Sequence, residues 1–379
     1  MEYPKIKHAM GGSRISQTKI ILGALQWGTG VELTDDEDGT LWRLLKLMDG
    51  SRTRDQIVAD ITSEHPGLDS QSVVDAVDAL VSEGFVEDEA VPVPAELDDD
   101  ELERYERSRH FFAWIERSPR PSPWEIQCRL KQARVCVIGL GGAGSAVAAS
   151  LAATGIGTIT CVDHDTISVS NLNRTLLYSE NDIGRRKVDV AVRRLRQLNH
   201  HVDIRGIDRS ITSSADIDQL MTGQDLVVLC ADEPKIFITQ WMNRAALRTG
   251  VPWQMCLYAG PMVVTGIFLP GRTACWDCIP GSDGGFPDVD EFELLTDHGP
   301  NAVIAPSANL TGHTGALMAT YFLAGLPVQA VGRVLHHSLT RLDHAYFVGP
   351  MAAPCATCGR PADEQARVAA SATSGGVER

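Results

Sequence analysis

The chain has 379 residues, 44% of them hydrophobic and 22% charged, so it can bury at least one large core and has the length of two or three domains. A formal net charge of −15 argues against a general nucleic-acid binder, which needs basic surface, while leaving room for a nucleotide held by a few local cations. The opening MEYPKIKHAMGGSR has no apolar signal core, no run approaches ~20 apolar residues, and the nine cysteines are an odd number. A cytoplasmic, reducing setting is expected, with clustered cysteines read as metal ligands rather than disulfides.

Residues 1–95 read as a small separate α+β domain of winged-helix type. The apolar run KIILGALQW predicts a strand over Lys19–Trp27. Helical periodicity follows over Thr40–Met48, with Leu41, Leu44, Leu45 and Met48 on one face, and Asp49-Gly50 stops it. A second amphipathic pattern over Ser51–Ser63 carries Ile57, Val58 and Ile61. A third over Ser70–Glu83 carries Val73, Val74, Val77, Leu80 and Val81, and Gly84-Phe85-Val86 predicts a short strand. A DNA-binding winged helix is the ordinary alternative, but this block is acidic and offers no basic helix to a groove. The run LWRLLKLMDGSRTRDQIVADI, followed by VVDAVDALVSEGFV, resembles the PqqD-like leader-peptide recognition domain of ribosomal peptide modification systems. That resemblance implies a sheet edge that takes up an extended peptide as an added strand, through backbone hydrogen bonds.

Residues 87–103 are acidic and contain proline, and read as a linker. With the Arg- and aromatic-rich helix expected over Arg104–Arg117 they form a connecting region, 96–123. The large domain is expected over 124–362 and a disordered tail over 363–379. In the large domain the apolar run Arg134–Ile138 leads into GLGGAGS and then a helix over Ala146–Ala153. Gly139, Gly141 and Gly144 fit the fingerprint of a nucleotide-binding turn, with Gly142 and Ser145 completing it, and the helix N-terminus offers free N–H groups to an anion. A second strand, Thr158–Val162, ends at Asp163, about 20 residues on, where such folds bind a ribose hydroxyl.

Alone, this turn favours NAD and a Rossmann oxidoreductase. Its flanks, HDTISVSNLNRTLL and GRRKVDVAVRRL, add Asn, Arg and Lys at a density that a dinucleotide does not need. A triphosphate does need them, because its charge must be held and redistributed during transfer.

These motifs together resemble the ubiquitin-activating-enzyme-like family, represented in bacteria by MoeB and ThiF. The resemblance implies an α/β fold, with a Rossmann-like, mostly parallel sheet and helices on both faces. It also implies ATP-dependent adenylation of a carboxylate. Asp163 would then bind the ribose, Arg174 and Lys187 the phosphates, and Asn171 would line the pocket. Asp232, in DLVVLCADEP, would bind Mg²⁺. The segment ERYERSRH matches the family's opening and makes Arg107 an arginine finger lent across a homodimer. On the residues alone, Arg107 is equally a solvated helix residue, Arg185 or Arg186 could serve in place of Lys187, and Asp232 could cap a turn. Asp165 reads as bonding its own turn. Cys136, Cys161 and Cys230 read as inert strand residues.

Cys275-Trp-Asp-Cys278 and Cys355-Ala-Thr-Cys358 form two CxxC pairs, suited to a closed structural Zn²⁺ site. Two redox pairs are the alternative, but no thioredoxin-like unit accompanies them. MoeB-like proteins carry the same pairs, so the fold is expected to be zinc-stapled. His313, His336 and His337 read as core or surface residues. The sequence departs from the family at Glu233, where Asn is usual, and at Phe237, where Arg is usual. Thr296–Ala302 has no cysteine for a thioester stage, and Cys256 has the apolar neighbours of a strand residue. The Gly-rich segment Gly281–Asn301 is expected to cross over the site. A small-residue helix is expected over Ala305–Ala324.

The preferred reading is adenylation of a carboxylate on a ribosomally made precursor peptide, with the N-terminal domain binding the leader. One alternative is activation of a sulfur-carrier protein ending in Gly-Gly. Another is a non-catalytic scaffold that delivers peptide to a partner cyclodehydratase. No nucleic-acid or membrane partner is expected.

Overall fold

A computed structural model describes residues 1–23, 30–116, 120–234, 237–279, 302–347 and 355–359. The chain divides into two compact units, Met1–Arg129 and Leu130–Arg379.

The first unit holds strands β1 (Pro4–Ile6), β2 (Gly12–Arg14), β3 (Lys19–Leu22) and β4 (Val31–Thr34), and helices α1 (Thr40–Leu47), α2 (Arg54–Glu64) and α3 (Ser70–Ser82). Strand β5 (Val86–Asp88), helix α4 (Asp99–Ile115) and helix α5 (Glu125–Gln132), which runs past the unit boundary, complete it. Strands β2, β3 and β4 make an antiparallel sheet with β3 central, and β1 pairs with β5. The faces expected from helical periodicity are buried in the main, with Leu41, Val58 and Val81 only partly buried against the core and Val74 half-buried. Leu44, Leu45 and Met48, Ile57 and Ile61, and Val73, Val77 and Leu80 pack with Ile20 and Leu22 in one core.

Several boundaries of this unit differ from expectation. The strand expected over Lys19–Trp27 ends at Leu22, because Gly23 turns the chain at φ 68, and residues 24–29 lie outside the described residues. Helix α2 starts at Arg54 rather than Ser51. Thr53 caps it, accepting the Gln56 N–H, and the Gln56 side chain accepts the Thr53 N–H in return. The acidic run is not all linker, since α4 begins at Asp99. Asp98 and Glu101 form a second capping box, and the acids of the first turn suit the positive end of the helix.

Asp35 is buried and accepts the N–H groups of Leu41 and Trp42 at 2.8 and 3.2 Å, anchoring the start of α1. Hydrogen bonds to a charged group are worth about 1.5–3 kcal/mol each. Asp35→Ala is therefore expected to destabilise this unit by about 2–3 kcal/mol. Denaturant unfolding of the variant against the wild type measures it, and an unchanged midpoint would contradict the anchoring role.

The second unit is built on an eight-stranded sheet. Its elements are β6 (Arg134–Ile138), α6 (Gly142–Thr154), β7 (Thr158–Val162), α7 (Lys187–Leu198), β8 (Asp203–Ile207), α8 (Ser214–Met221), β9 (Leu226–Leu229) and α9 (Phe237–Thr249). They continue with β10 (Trp253–Ala259), β11 (Met262–Phe268), α10 (Ala305–Ala324), β12 (Val334–Ser338) and β13 (His344–Phe347). The strand order is β13-β12-β11-β10-β9-β6-β7-β8. Strands β10, β9, β6, β7 and β8 are parallel, and β11, β12 and β13 extend the sheet antiparallel.

Helices cover both faces. Ile217 and Leu220 of α8 and Ile238 and Met242 of α9 pack on Cys136, Ile138, Val227 and Leu229. Helices α6 and α10 pack on each other and on β10. The chain runs from β6 outward through β7 to β8, then returns to lay β9 on the other side of β6. That reversal opens a crevice at the carboxyl ends of β6 and β9, where open α/β sheets bind their ligands. Among the described residues no helix is long and apolar enough to cross a membrane.

Candidate active site

Strand β6 delivers the chain into the glycine turn at this crevice. Gly139 adopts φ 90, and a Cβ there would lie 2.7 Å from the Ala231 nitrogen beyond β9. A Cβ on Gly144 would fall 1.8 Å from the Gly139 carbonyl oxygen. These two positions are closed by the strand and helix they join. Gly141 is different, since among the described residues nothing lies within 4 Å of its Cβ position. It is the N-cap of α6, which starts at Gly142 rather than at the expected Ala146, and among the described residues no side-chain cap bonds the first-turn N–H groups there. An anion can therefore approach the positive end of this helix. Ser145 is buried and its hydroxyl donates to the Gly142 carbonyl at 3.2 Å.

Asp163 follows β7 directly and is buried. Its carboxylate accepts the Leu140 N–H at 2.7 Å and the Asp165 N–H at 2.8 Å, tying the glycine turn to the next strand. The Tyr178 hydroxyl donates to the Leu140 carbonyl at 2.9 Å from the other side, and burial pushes this phenol up. Lys187 is the first residue of α7. Its Nζ lies 2.7 Å from Asp165 Oδ2 and 3.8 Å from Asp163 Oδ2, with the side chain 8% exposed. Burial acts to raise the Asp165 carboxyl, but the Lys187 hydrogen bond and charge outweigh it and hold the group below its ordinary range. Asp165 thus does more than bond its own turn, because it is the counter-ion of Lys187. Of the three candidate cations, Lys187 is the one turned toward Asp163. Arg186 instead bonds the His164 carbonyl and pairs with Asp208 at 3.1 Å, and Arg185 is exposed.

Arg174 lies across the turn, its stem where a Cβ on Gly142 would meet it at 3.3 Å. Its Nη1 donates to the Ser170 carbonyl at 2.6 Å and to Asn173 Oδ1 at 3.0 Å. Its own carbonyl accepts from Asn309 of α10 at 3.1 Å. Asn171 builds this segment, accepting the Ser168 N–H with its side chain and the Arg174 and Thr175 N–H groups with its carbonyl. Asp232 is exposed on the loop after β9. Tyr258 of β10 feels both Arg174 and Asp232. Burial and Asp232 raise its phenol, Arg174 lowers it, and the net shift is upward. Arg107 is exposed on α4, in the first unit.

Tyr178, Tyr258 and Asn309 did not stand out in the sequence. Asp165 carried a signal as the second acid of the Asp-His-Asp run. The two tyrosines carried none, since their partners lie on other elements.

Cys136 and Cys161 are fully buried. Burial pushes both thiols up, Cys161 to about 12, while Cys230, half-buried and just past β9 rather than in it, is raised first by its hydrogen bond with Cys256 and then by burial. Cys256 is a buried β10 residue whose thiol donates to the Thr311 carbonyl. Phe237 opens α9 and is exposed. The segment Gly281–Asn301 lies outside the described residues, as does the tail over 363–379.

The four cysteines converge. Cys275 Sγ lies 3.6 Å from Cys278 Sγ and 3.9 Å from Cys355 Sγ, and Cys278 Sγ lies 3.6 Å from Cys358 Sγ. All four sulfurs lie within 4.8 Å of one another. A Zn–S bond of about 2.3 Å in a tetrahedron puts sulfurs about 3.8 Å apart, so this cage is compatible with structural zinc. Asn243 supports it, donating to Cys275 Sγ and accepting the Trp276 N–H, and Thr357 bonds Asp277 across the cage.

Residues 107–358 match the ThiF family. The chain belongs to this family. It is 27% identical over 271 residues to the molybdopterin-synthase adenylyltransferase of Escherichia coli K12, a match covering 70% of this chain and 100% of that protein. It is 34% identical over 157 residues to the sulfur carrier protein ThiS adenylyltransferase of Bacillus subtilis 168, covering 40% of this chain and 45% of that one. Like these ThiF-family relatives, it is an ATP-dependent adenylyltransferase of the ubiquitin-activating type that activates a carboxylate. Its fold is shared with E. coli MccB, at a TM-score of 0.76 and 20% identity over 96% of this chain and 98% of that one. The structure of PaaA shares it at a TM-score of 0.69 and 22% identity, over 90% and 99% of the two chains.

Proposed function

We propose that this enzyme adenylates a carboxylate on a ribosomally made precursor peptide in the cytoplasm, and that its N-terminal unit holds the leader. The observation that carries this reading is the first unit itself. It has its own core, and its three-stranded sheet ends in two short edge strands, β2 and β4. An adenylation domain needs no such appendage, whereas an edge strand suits capture of an extended peptide. The fold shared with MccB spans 95% of this chain, and MccB structures include complexes with ATP and with N-formylated MccA. On this reading residues 1–95 are the PqqD-like recognition domain, 96–123 connect, and 124–362 adenylate.

In the reaction a carboxylate oxygen bonds to the α-phosphorus of ATP while the bond from that phosphorus to the bridging oxygen breaks, releasing pyrophosphate. The acid is already ionised at neutral pH, so no general base is required. Catalysis rests on position and charge. Gly139, Gly141, Gly142, Gly144 and Ser145 shape the phosphate turn, and the open Cβ position of Gly141 is where phosphate comes closest. Asp163 takes the ribose, and Asn171 shapes the segment bearing Arg174. Arg174 and Lys187 hold the phosphates. Asp232 would hold Mg²⁺, which supplies further charge neutralisation. Arg107 would reach the site of the second subunit in a homodimer. Cys275, Cys278, Cys355 and Cys358 would hold one Zn²⁺ in a closed, structural site.

A second reading, adenylation of a sulfur-carrier protein, is favoured by the names of the relatives matched in sequence. ATP–pyrophosphate exchange separates the two. The proposal expects exchange that depends on precursor peptide and is weakened at least tenfold by removing the leader. Exchange driven by a Gly-Gly carrier, with none driven by peptide, would sink it.

A further inference from the structure

The first unit contains a cavity of about 310 Å³ whose described lining includes no residue of the β2-β3-β4 sheet. Val81 of α3, Val86 of β5, Phe112 of α4 and Ile126 of α5 form its apolar walls. That volume is at the lower end for a ligand site and suits one or two side chains.

Its charges are paired unevenly. Asp88 accepts the N–H groups of Glu2 and Tyr3 at 2.7 and 2.9 Å and lies 4.0 Å from the terminal ammonium. Glu116 pairs with Arg120 at 2.6 Å, and Glu87 with Arg109 at 3.5 Å. Each acid on the wall therefore already has a partner. Lys7 is the remaining cation, and among the described residues it has no ion-pair partner. The Nε atoms of Arg109 and Arg120 are buried without a hydrogen-bond partner, so the wall has donors to spare. Burial disfavours the Lys7 charge and lowers its ammonium below the ordinary range, although Glu87 and Glu116 oppose this. An entering carboxylate supplies the missing partner, and the apolar walls bury the carbon skeleton that carries it.

We propose that this cavity is a side-chain-reading subsite, which takes an acidic residue flanked by apolar ones in the peptide that the first unit binds. It rests on the peptide reading and sharpens it. The sheet edge reads backbone without regard to sequence, while the cavity reads one carboxylate in an apolar setting.

Octanoate is a probe with the same chemistry, a carboxylate on an apolar chain. Its binding to the full-length protein is measured by ligand-observed NMR, beside octanamide, which lacks the charge. The proposal expects saturable octanoate binding and weaker binding of octanamide. It expects Lys7→Gln to weaken octanoate about tenfold, the worth of one charge-assisted hydrogen bond. Ala113→Phe, which fills the cavity from α4, should abolish binding. Lys7→Gln should also raise the KM for a peptide with an acidic anchor by a similar factor.

Octanoate binding that is absent, is matched by octanamide, or is unmoved by Lys7→Gln would overturn the subsite. So would an unchanged peptide KM. Exchange driven only by a Gly-Gly carrier would instead defeat the peptide reading, with the octanoate comparison still judging the cavity.

Discussion

Lys187→Ala is expected to lower ATP–pyrophosphate exchange by about 10²–10³-fold, the usual effect of removing one group that stabilises transition-state charge. The argument starts from position. Lys187 opens α7, and its ammonium sits between Asp163 and Asp165 with the side chain 8% exposed. Asp163 in turn holds the Leu140 N–H of the glycine turn. The cation therefore stands beside that turn, its ammonium held in place by two carboxylates, which is where the proposed reading needs a phosphate ligand.

Removing it has a second effect, because the buried Asp163 loses a nearby positive charge. That costs stability, by about 1–3 kcal/mol for a charge left without its partner. Lys187→Gln keeps the stem and an N–H donor for the two carboxylates but not the charge, so it should recover part of that stability and still lose exchange by about 10²-fold. Thermal unfolding run beside the exchange assay reads both quantities. Exchange within threefold of the wild type in a folded Lys187→Gln protein would remove Lys187 from the chemistry.

Cys278→Ser, or stripping with a strong chelator, is expected to lower the melting temperature of the second unit by about 10 °C. The cage joins Cys275 and Cys278, just after β11, to Cys355 and Cys358, 80 residues further along the chain. A crosslink closing a loop of that length restrains the unfolded chain by about 4 kcal/mol. For a unit of this size each kcal/mol moves the midpoint by about 2–4 °C. Metal analysis should find about one zinc per chain in the wild type and none in the variant. Calorimetry reads the midpoint. A chain without bound zinc, or a variant that melts with the wild type, would show that the cysteines are only packed together.

Much of this protein follows from local pattern. The strands Arg134–Ile138 and Thr158–Val162 and the helix Ala305–Ala324 have the bounds that their apolar runs and flanking residues imply. The Gly139–Ser145 turn between strand and helix is equally local, because close backbone approach admits only glycine at Gly139 and Gly144. Two CxxC pairs announce a thiolate cage by spacing alone, whatever fold brings them together. The core faces of α1, α2 and α3 were likewise legible, since a 3.6-residue period is a property of the segment itself.

Tertiary structure decided the rest. Three short strands of the first unit, β1, β2 and β4, were not foreseen. Segments of three or four residues carry too little periodicity, and each exists only because a distant partner pairs with it. The start of α4 was missed because the acids that look like a linker are its caps. The return of β9 to the far side of β6 places Ala231 against Gly139, and with it the Asp232 loop beside the turn. No local signal encodes strand order. Three adjacent cations at Arg185, Arg186 and Lys187 were equivalent as letters. What distinguishes them is which one the helix start turns toward Asp163 and Asp165, and only the packing of α7 against the sheet settles that.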